Sequence, residues 1–205
     1  MAKLILVRHG DTALNSRERY WGASDIKLSE DGVRQAEQLR SRLADEKIDI
    51  IYSSKLQRAS HTAKIIASEH RLEVIACSEL RETNFGDVEG LTFDEINRRF
   101  PDLSELWTSW SLQLKFPNGE GVRDLNVRVS MFLDRLQKHA VNETILVVAH
   151  AGPLRLLVCR LLGMELQNSR KIRIGLASIS VIENFPRAVV LSLLNDHSHL
   201  DLGCS

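Results

Sequence analysis

The chain lacks a cysteine framework. Cys77, Cys159 and Cys204 are scattered through 205 residues with no CxxC pair. That spacing excludes a disulfide scaffold and a paired-thiolate zinc site, and it predicts reduced thiols in a cytoplasmic setting. Charge of one sign is lacking too: 27 Lys and Arg stand against 27 Asp and Glu. Proteins that bind nucleic acid or anionic membranes usually carry a basic excess, so neither is expected as a partner. Long hydrophobic runs are absent. The first, Leu4–Val7, ends at Arg8, too soon for the apolar core of a signal peptide, and the later runs fall far short of a membrane span. No internal repeat or low-complexity segment interrupts the chain.

What remains is 43% hydrophobic and 26% charged, enough for a sizeable core in one α/β domain over residues 1–205. Strand-like segments at 3–7, 48–54, 72–78 and 144–150 alternate with helical ones at 29–45, 56–70, 122–139 and 152–163. Ser29 is placed as an N-cap, Pro153 in a first helical turn, and Gly163 just past a helix end. His61, His70 and His139 read as helix-surface residues. "SISVIEN" and "AVVLSLLND" read as a closing strand pair. The alternation predicts a three-layer α/β/α sandwich around a mainly parallel sheet. Residues 86–122 contain no strand pattern, only two short helices split by Pro101 and a turn-rich loop, and are expected to form a small helical cap.

The chemistry sits where strands end. The first strand runs directly into Arg8, His9 and Gly10; the second leads to Arg58; the strand at 144–150 ends at His150. In an open α/β sheet, ligands bind beyond the carboxyl ends of the strands. These residues are therefore expected to share one crevice. An arginine fork matches phosphate oxygens, and a neutral imidazole nitrogen is a nucleophile toward phosphorus. Gly10 permits a sharp turn and leaves room for a ligand.

Five stretches, in order, resemble signatures of the histidine phosphatase superfamily, the phosphoglycerate mutase-like fold. They are "LVRHGDTALN", "LSEDGVRQAEQL", "IIYSSKLQRASHTA", "LRETNFGDVEGLT" and "VVAHAGPLR". The resemblance implies that His9 becomes phosphohistidine. Arg8, Arg58 and His150 would hold the phosphoryl oxygens, and Glu82, chosen over its neighbours Glu79, Asp87 and Glu89, would serve as acid and then base. Asn15 matches a polar pocket residue; Gly22 and Ala151 are assigned with it to substrate and phosphate binding. No metal and no cofactor are implied, and the partner is a small phosphorylated metabolite, with a homodimer as a further expectation.

Phe85 stands where the mutases of this superfamily carry tyrosine, Phe93 falls near their lysine, and Arg98-Arg99 is in the wrong context for their arginine pair, so a phosphomonoesterase is expected rather than a mutase. "FGDVEGLTFDEI", the tryptophan-containing cap and "FPNGEGVRDLNVRV" look like α-ribazole phosphatases, although Asn118-Gly119-Glu120-Gly121 departs from their GGES loop. Phosphoserine phosphatases share much of the pattern, and a catalytically silent phospho-ligand binder is the rival of another class. Trp107 and Trp110 are read as cap packing, with lining of the substrate entrance as the alternative; "SRKIR" (169–173) as a solvated face, with contact to an anionic substrate tail as the lesser alternative; and the alternating His197 and His199 as a packed or solvated segment rather than a metal pair.

Overall fold

A computed structural model describes residues 3–14, 19–109, 111–140, 142–185 and 187–200. Asn15, Trp110 and Cys204 lie outside these. The first strand, β1 (Lys3–Arg8), sits inside a six-stranded sheet. It pairs in parallel with β4 (Thr144–Ala149) and antiparallel with β5 (Ile179–Phe185). β2 (Ile50–Ser54) follows β4 in parallel, and β3 (Val74–Cys77) follows β2 in parallel; β6 (Ala188–Asp196) pairs antiparallel with β5. The order is β3-β2-β4-β1-β5-β6, so only β5 runs against the rest. The expected, mainly parallel sheet is present.

Both faces of this sheet are covered, which is why β1 and β4 read as unbroken apolar runs. Successive side chains point to opposite faces. Ile5 and Val7 join Leu146 and Val148 beneath α1 (Glu30–Leu43) and α2 (Gln57–His70), against Leu39, Leu43, Ala59, Ala63 and Ile66. Leu4 and Leu6 join Ile145 and Val147 on the other face, beneath α5 (Val122–Leu136) and α6 (Ala151–Leu161), against Val129, Phe132, Leu154 and Leu157. Ser29 caps α1 by accepting from the Gly32 amide, as its position implied.

Between α2 and α5 in the chain, α3 (Phe93–Arg99) and α4 (Pro101–Thr108) build a separate apolar cluster of Val88, Ile96, Leu103, Trp107, Leu114, Phe116 and Val122. A capping box between Thr92 and Glu95 starts α3, and Pro101 opens α4 where its missing N–H costs nothing. Tyr20 and Phe85 pack onto this cluster from outside residues 86–122. Trp107 is 7% exposed; its ring packs 4.5 Å from Tyr20 and 4.9 Å from Phe116 in this cluster and also lines the cavity described below.

One helix differs from the reading. α5 ends at Leu136, not at residue 139, and His139 is not a surface residue. Its ring turns inward and lies between the Tyr52 hydroxyl at 2.9 Å and Glu143 Oε2 at 3.0 Å. Helical periodicity cannot register such a turn, because the partners are a distant strand and the next loop.

Candidate active site

The register between β1 and β4 decides the centre of the site. Val7 pairs with Val148 and Arg8 with Ala149, so the next residue on each strand is a histidine, and the His9 amide donates to the Ala149 carbonyl at 3.1 Å. The two imidazoles lie side by side, centroids 4.9 Å apart and planes tilted by 59°. At this end of the sheet a cavity of about 420 Å³ is lined by Arg8, His9, Arg58, Glu82 and Ala151. Residues far apart in the sequence thus share one crevice; His150 is fully buried beside His9 and is not among the lining residues.

The protonation of His9 is set locally. Its Nδ1 lies 2.7 Å from the Gly10 carbonyl oxygen, which can only accept, so Nδ1 carries the proton and Nε2 keeps its lone pair. Burial first, then the charges of Arg8 and Arg58, hold the pKa well below the ordinary 6.5. The imidazole is neutral at physiological pH. Gly10 makes this possible by its size: a Cβ there would lie 2.5 Å from the Gly32 carbonyl oxygen at the start of α1. The Gly10 amide is fixed by Thr62 Oγ1 at 3.2 Å.

A pH dependence follows. His150 is also held well below 6.5, by burial first and then by His9 and the surrounding arginines. Below about pH 6.5 the unfolded chain takes up protons at these histidines while the folded chain does not, so their contribution to stability is present above that pH and lost as pH falls. We expect the melting temperature to fall between pH 7 and pH 5, and His9→Ala to fall less steeply over the same interval. Parallel slopes for the two proteins in a thermal-melt series would contradict the assignment.

Each remaining cation is anchored by backbone. Arg58, only 2% exposed, donates from Nη1 to the Ser24 carbonyl at 2.7 Å and from Nη2 to the Gly22 carbonyl at 2.6 Å. Gly22 is not among the cavity-lining residues; it acts on the site through that carbonyl. A Cβ at Gly22 would lie 1.9 Å from the Thr83 carbonyl oxygen, so the approach of the two loops requires glycine there. Arg8 Nη1 donates to the Ile174 carbonyl at 2.8 Å, while its buried Nε has no partner among the described residues. Burial lowers the Arg8 pKa to about 10, with Glu82 opposing the shift and Arg155 and Arg58 adding to it, which leaves it charged. His150 Nε2 lies 2.9 Å from the Ser54 hydroxyl. That oxygen already accepts from the Leu56 amide, so its own proton is free for Nε2. The Nδ1 of His150 is buried with no partner among the described residues, which fits an oxyanion.

The structure separates the four neighbouring carboxylates. Glu79 pairs with Arg135 at 2.8 Å. Asp87 accepts from Asn118. Glu89 accepts the amides of Ala23, Ser24 and Phe85, tying the two loops together. Of the four, only Glu82 lines the cavity, its Oε2 accepting the Gly152 amide at the start of α6 at 3.3 Å.

The segment carrying Glu82 has a buttress that the sequence reading missed. Arg128 on α5 makes a bidentate pair with Glu120, 2.7 Å in each arm, and its Nη1 donates to the carbonyls of Glu79 and Arg81 at 2.8 and 3.0 Å. Glu120 in turn accepts the Asn84 amide at 2.9 Å. The pair is mostly buried, with side chains 14% and 20% exposed. Removing Arg128 leaves the Glu120 charge and those two carbonyls poorly satisfied. Arg128→Met is therefore expected to cost about 2–4 kcal/mol in denaturant unfolding. A loss below about 0.5 kcal/mol, the size of an ordinary surface change, would show that the buttress carries no stability.

Three further arginines line the cavity: Arg19, paired with Glu95 at 2.8 Å, Arg155 and Arg170. Arg155 comes from α6, and Arg170 from the short helical turn Leu166–Lys171. The spacing of Arg155 from His150, just over one helical turn, was the available signal. Residues 169–173 are solvated only in part: Arg170, Lys171 and Arg173 are exposed, Ser169 and Ile172 are buried, and the Arg170 guanidinium donates to the carbonyls of Trp107 and Thr108 at the end of α4. His197 and His199 serve separate carbonyls, Asn195 at 2.8 Å and Ala177 at 3.0 Å, in a packed segment. Among the described residues no group of three or more His, Cys, Asp or Glu could hold a metal ion, and no helix is long and apolar enough to cross a membrane.

The histidine phosphatase superfamily (branch 1) matches residues 4–197. Phosphoserine phosphatase 1 of Hydrogenobacter thermophilus is 37% identical over 98% of this chain and 95% of its own length. The α-ribazole phosphatase of Shigella flexneri superposes with a TM-score of 0.86 at 32% identity, covering 95% of this chain and 96% of that one. A phosphoserine phosphatase mutant from Entamoeba histolytica, solved with phosphoserine, superposes with a TM-score of 0.85 at 31% identity, covering 98% and 100%. With its paired histidines, buried arginines and cavity carboxylate on this fold, the chain belongs to the histidine phosphatase superfamily and is a phosphoric monoester hydrolase.

Proposed function

We propose that the protein is a metal-independent phosphomonoesterase working through a phosphohistidine intermediate on a small phosphorylated metabolite. The observation that carries this reading is the His9 tautomer: Nδ1–H is committed to the Gly10 carbonyl, leaving a neutral Nε2 lone pair at the cavity between Arg8 and Arg58. Nε2 attacks phosphorus as the ester P–O bond breaks, and the Glu82 carboxyl gives its proton to the departing alkoxide oxygen. Water then attacks the phosphohistidine, Glu82 takes a proton from it, and the P–N electron pair returns to Nε2. Arg8, Arg58 and His150 Nδ1–H are the donors for the equatorial oxygens, whose charge they meet without reorganising. Asn15, outside the described residues, is proposed as a further polar contact, and Ala151, at the first position of α6, as a backbone contact to the phosphoryl group.

Hydrolysis is favoured over a mutase outcome by the cap. Arg98 and Arg99 are exposed on α3 and do not line the cavity, so they offer no second grip on a phosphorylated acid awaiting return of its phosphoryl group. Phosphoserine, and α-ribazole 5′-phosphate as the cap pattern suggested, are the two substrate candidates. We expect turnover of p-nitrophenyl phosphate to survive EDTA and to be inhibited by vanadate, which resembles the pentacoordinate transition state. Exchange between the 2- and 3-phosphates of glycerate without release of phosphate would assign a mutase instead, and phosphate binding with no turnover across a phosphomonoester panel would assign a silent binder.

A further inference from the structure

Glu82 sits on a segment that no regular element holds. Residues 81–85 run without helix or strand between the short helical turns Ser78–Leu80 and Gly86–Val88. One oxygen of the Glu82 carboxylate accepts the Thr83 amide at 2.9 Å, a neighbour that moves with it. The other accepts the Gly152 amide at 3.3 Å, the long end of the range for such a bond. A side chain so lightly held takes its place from its backbone.

That backbone is gripped on both sides by one ion pair. Before Glu82, Arg128 Nη1 donates to the carbonyls of Glu79 and Arg81 at 2.8 and 3.0 Å, and Nη2 reaches the Glu82 carbonyl at 3.5 Å. After it, Glu120 accepts the Asn84 amide at 2.9 Å, and its own amide donates to the Asn84 carbonyl at 2.8 Å. The two residues are locked to each other, with Nε and Nη2 of the guanidinium each 2.7 Å from a Glu120 oxygen. A planar fork holds such a pair in one geometry, and a lysine cannot reproduce it. The loop is close-packed here: a Cβ at Gly119 would lie 2.4 Å from the Asn84 carbonyl oxygen. Neither Arg128 nor Glu120 lines the cavity, so the pair acts on the site only through what it holds.

We infer that the Arg128–Glu120 pair is a positioning device for proton transfer: it fixes the backbone on each side of Glu82, and with it the distance from the carboxyl to the leaving oxygen. This rests on the phosphomonoesterase reading, with Glu82 as the acid, and goes beyond the contribution of the pair to stability. A misplacement of about 1 Å at a reacting group can cost on the order of 10²-fold in rate. A loss that acts through Glu82 follows the need for its proton, whereas a loss through unfolding falls on every substrate alike.

The ratio of kcat on an alkyl phosphate to kcat on p-nitrophenyl phosphate, measured in one preparation, does not depend on how much of the protein is folded. The alkyl ester is whichever of O-phosphoserine and α-ribazole 5′-phosphate the unaltered protein hydrolyses faster. In Arg128→Lys, which keeps the charge without the fork, this ratio is expected to fall several-fold with KM little changed, and to fall less than in Glu82→Gln. Glu120→Gln should lower it in the same sense, and serves alone if the lysine variant does not fold. In the Glu82→Gln background, Arg128→Lys should leave the ratio unmoved, because no proton remains to be placed. An unchanged ratio in Arg128→Lys and Glu120→Gln, with Glu82→Gln still discriminating the two esters, would overturn the inference and leave the pair a stabilising contact. If Glu82→Gln itself lowers both esters equally, the acid reading fails and the inference falls with it. Hydrolysis of p-nitrophenyl phosphate by the unaltered protein reports on the phosphatase reading separately.

Discussion

His9→Ala is expected to lower kcat on any phosphomonoester by at least about 10⁴-fold, the scale seen when a covalent nucleophile is deleted from machinery that acts as a unit. Arg8, Arg58 and His150 would still bind the dianion, so substrate affinity should survive while turnover does not. The same variant should trap no acid-labile phosphoryl group after rapid quench with labelled substrate, whereas the unaltered protein should show phosphohistidine. His9 is 5% exposed and its main polar contact is to the neighbouring carbonyl, so the fold should persist, as far-UV circular dichroism will report. Turnover within tenfold of the unaltered protein would remove His9 from the chemistry. His9 is the only histidine among the cavity-lining residues, and His150 Nε2 is engaged by Ser54.

Glu82→Gln is expected to cost about 10²–10⁴-fold in kcat, the usual value of a positioned general acid. The size of the loss should depend on the leaving group. An alkoxide with a pKa near that of water needs the proton as the P–O bond breaks; p-nitrophenolate leaves readily without it. The loss should thus be several-fold or more larger on an alkyl phosphate than on p-nitrophenyl phosphate. Equal losses on both would mean that Glu82 acts on hydrolysis of the intermediate, or on shape alone. Gln keeps an acceptor for the Gly152 amide and the planar shape of the side chain, so the comparison isolates the proton. Glu79, Asp87 and Glu89 are each committed elsewhere and cannot substitute.

Much of this was legible before any coordinates. Alternation of apolar runs with helical periodicity located the strands and helices, since that pattern is written in consecutive residues and needs only local geometry to read. Arg8, His9, Arg58 and His150 could be named because strand ends in a parallel sheet converge on one edge. The errors have a common cause. His139, Arg170 and the Arg128–Glu120 pair all act through partners that no spacing rule connects to them: Tyr52 across 87 positions, the end of α4 across 62 or 63, and the Glu82 segment across nearly 50. A lone arginine on a helix reads as solvated surface until the opposite wall is known.

The sequence by itself determined the fold class and the family and singled out the proposed nucleophile, because each is encoded by residue type in short contiguous stretches. Tertiary structure decided which nitrogen of His9 is free, which of four carboxylates faces the cavity, and which arginines reach its wall. Those outcomes depend on the β1–β4 register and on loops packed so closely that a Cβ at Gly10 or Gly22 would clash, and a hydrogen bond exists only once both of its sides are in place.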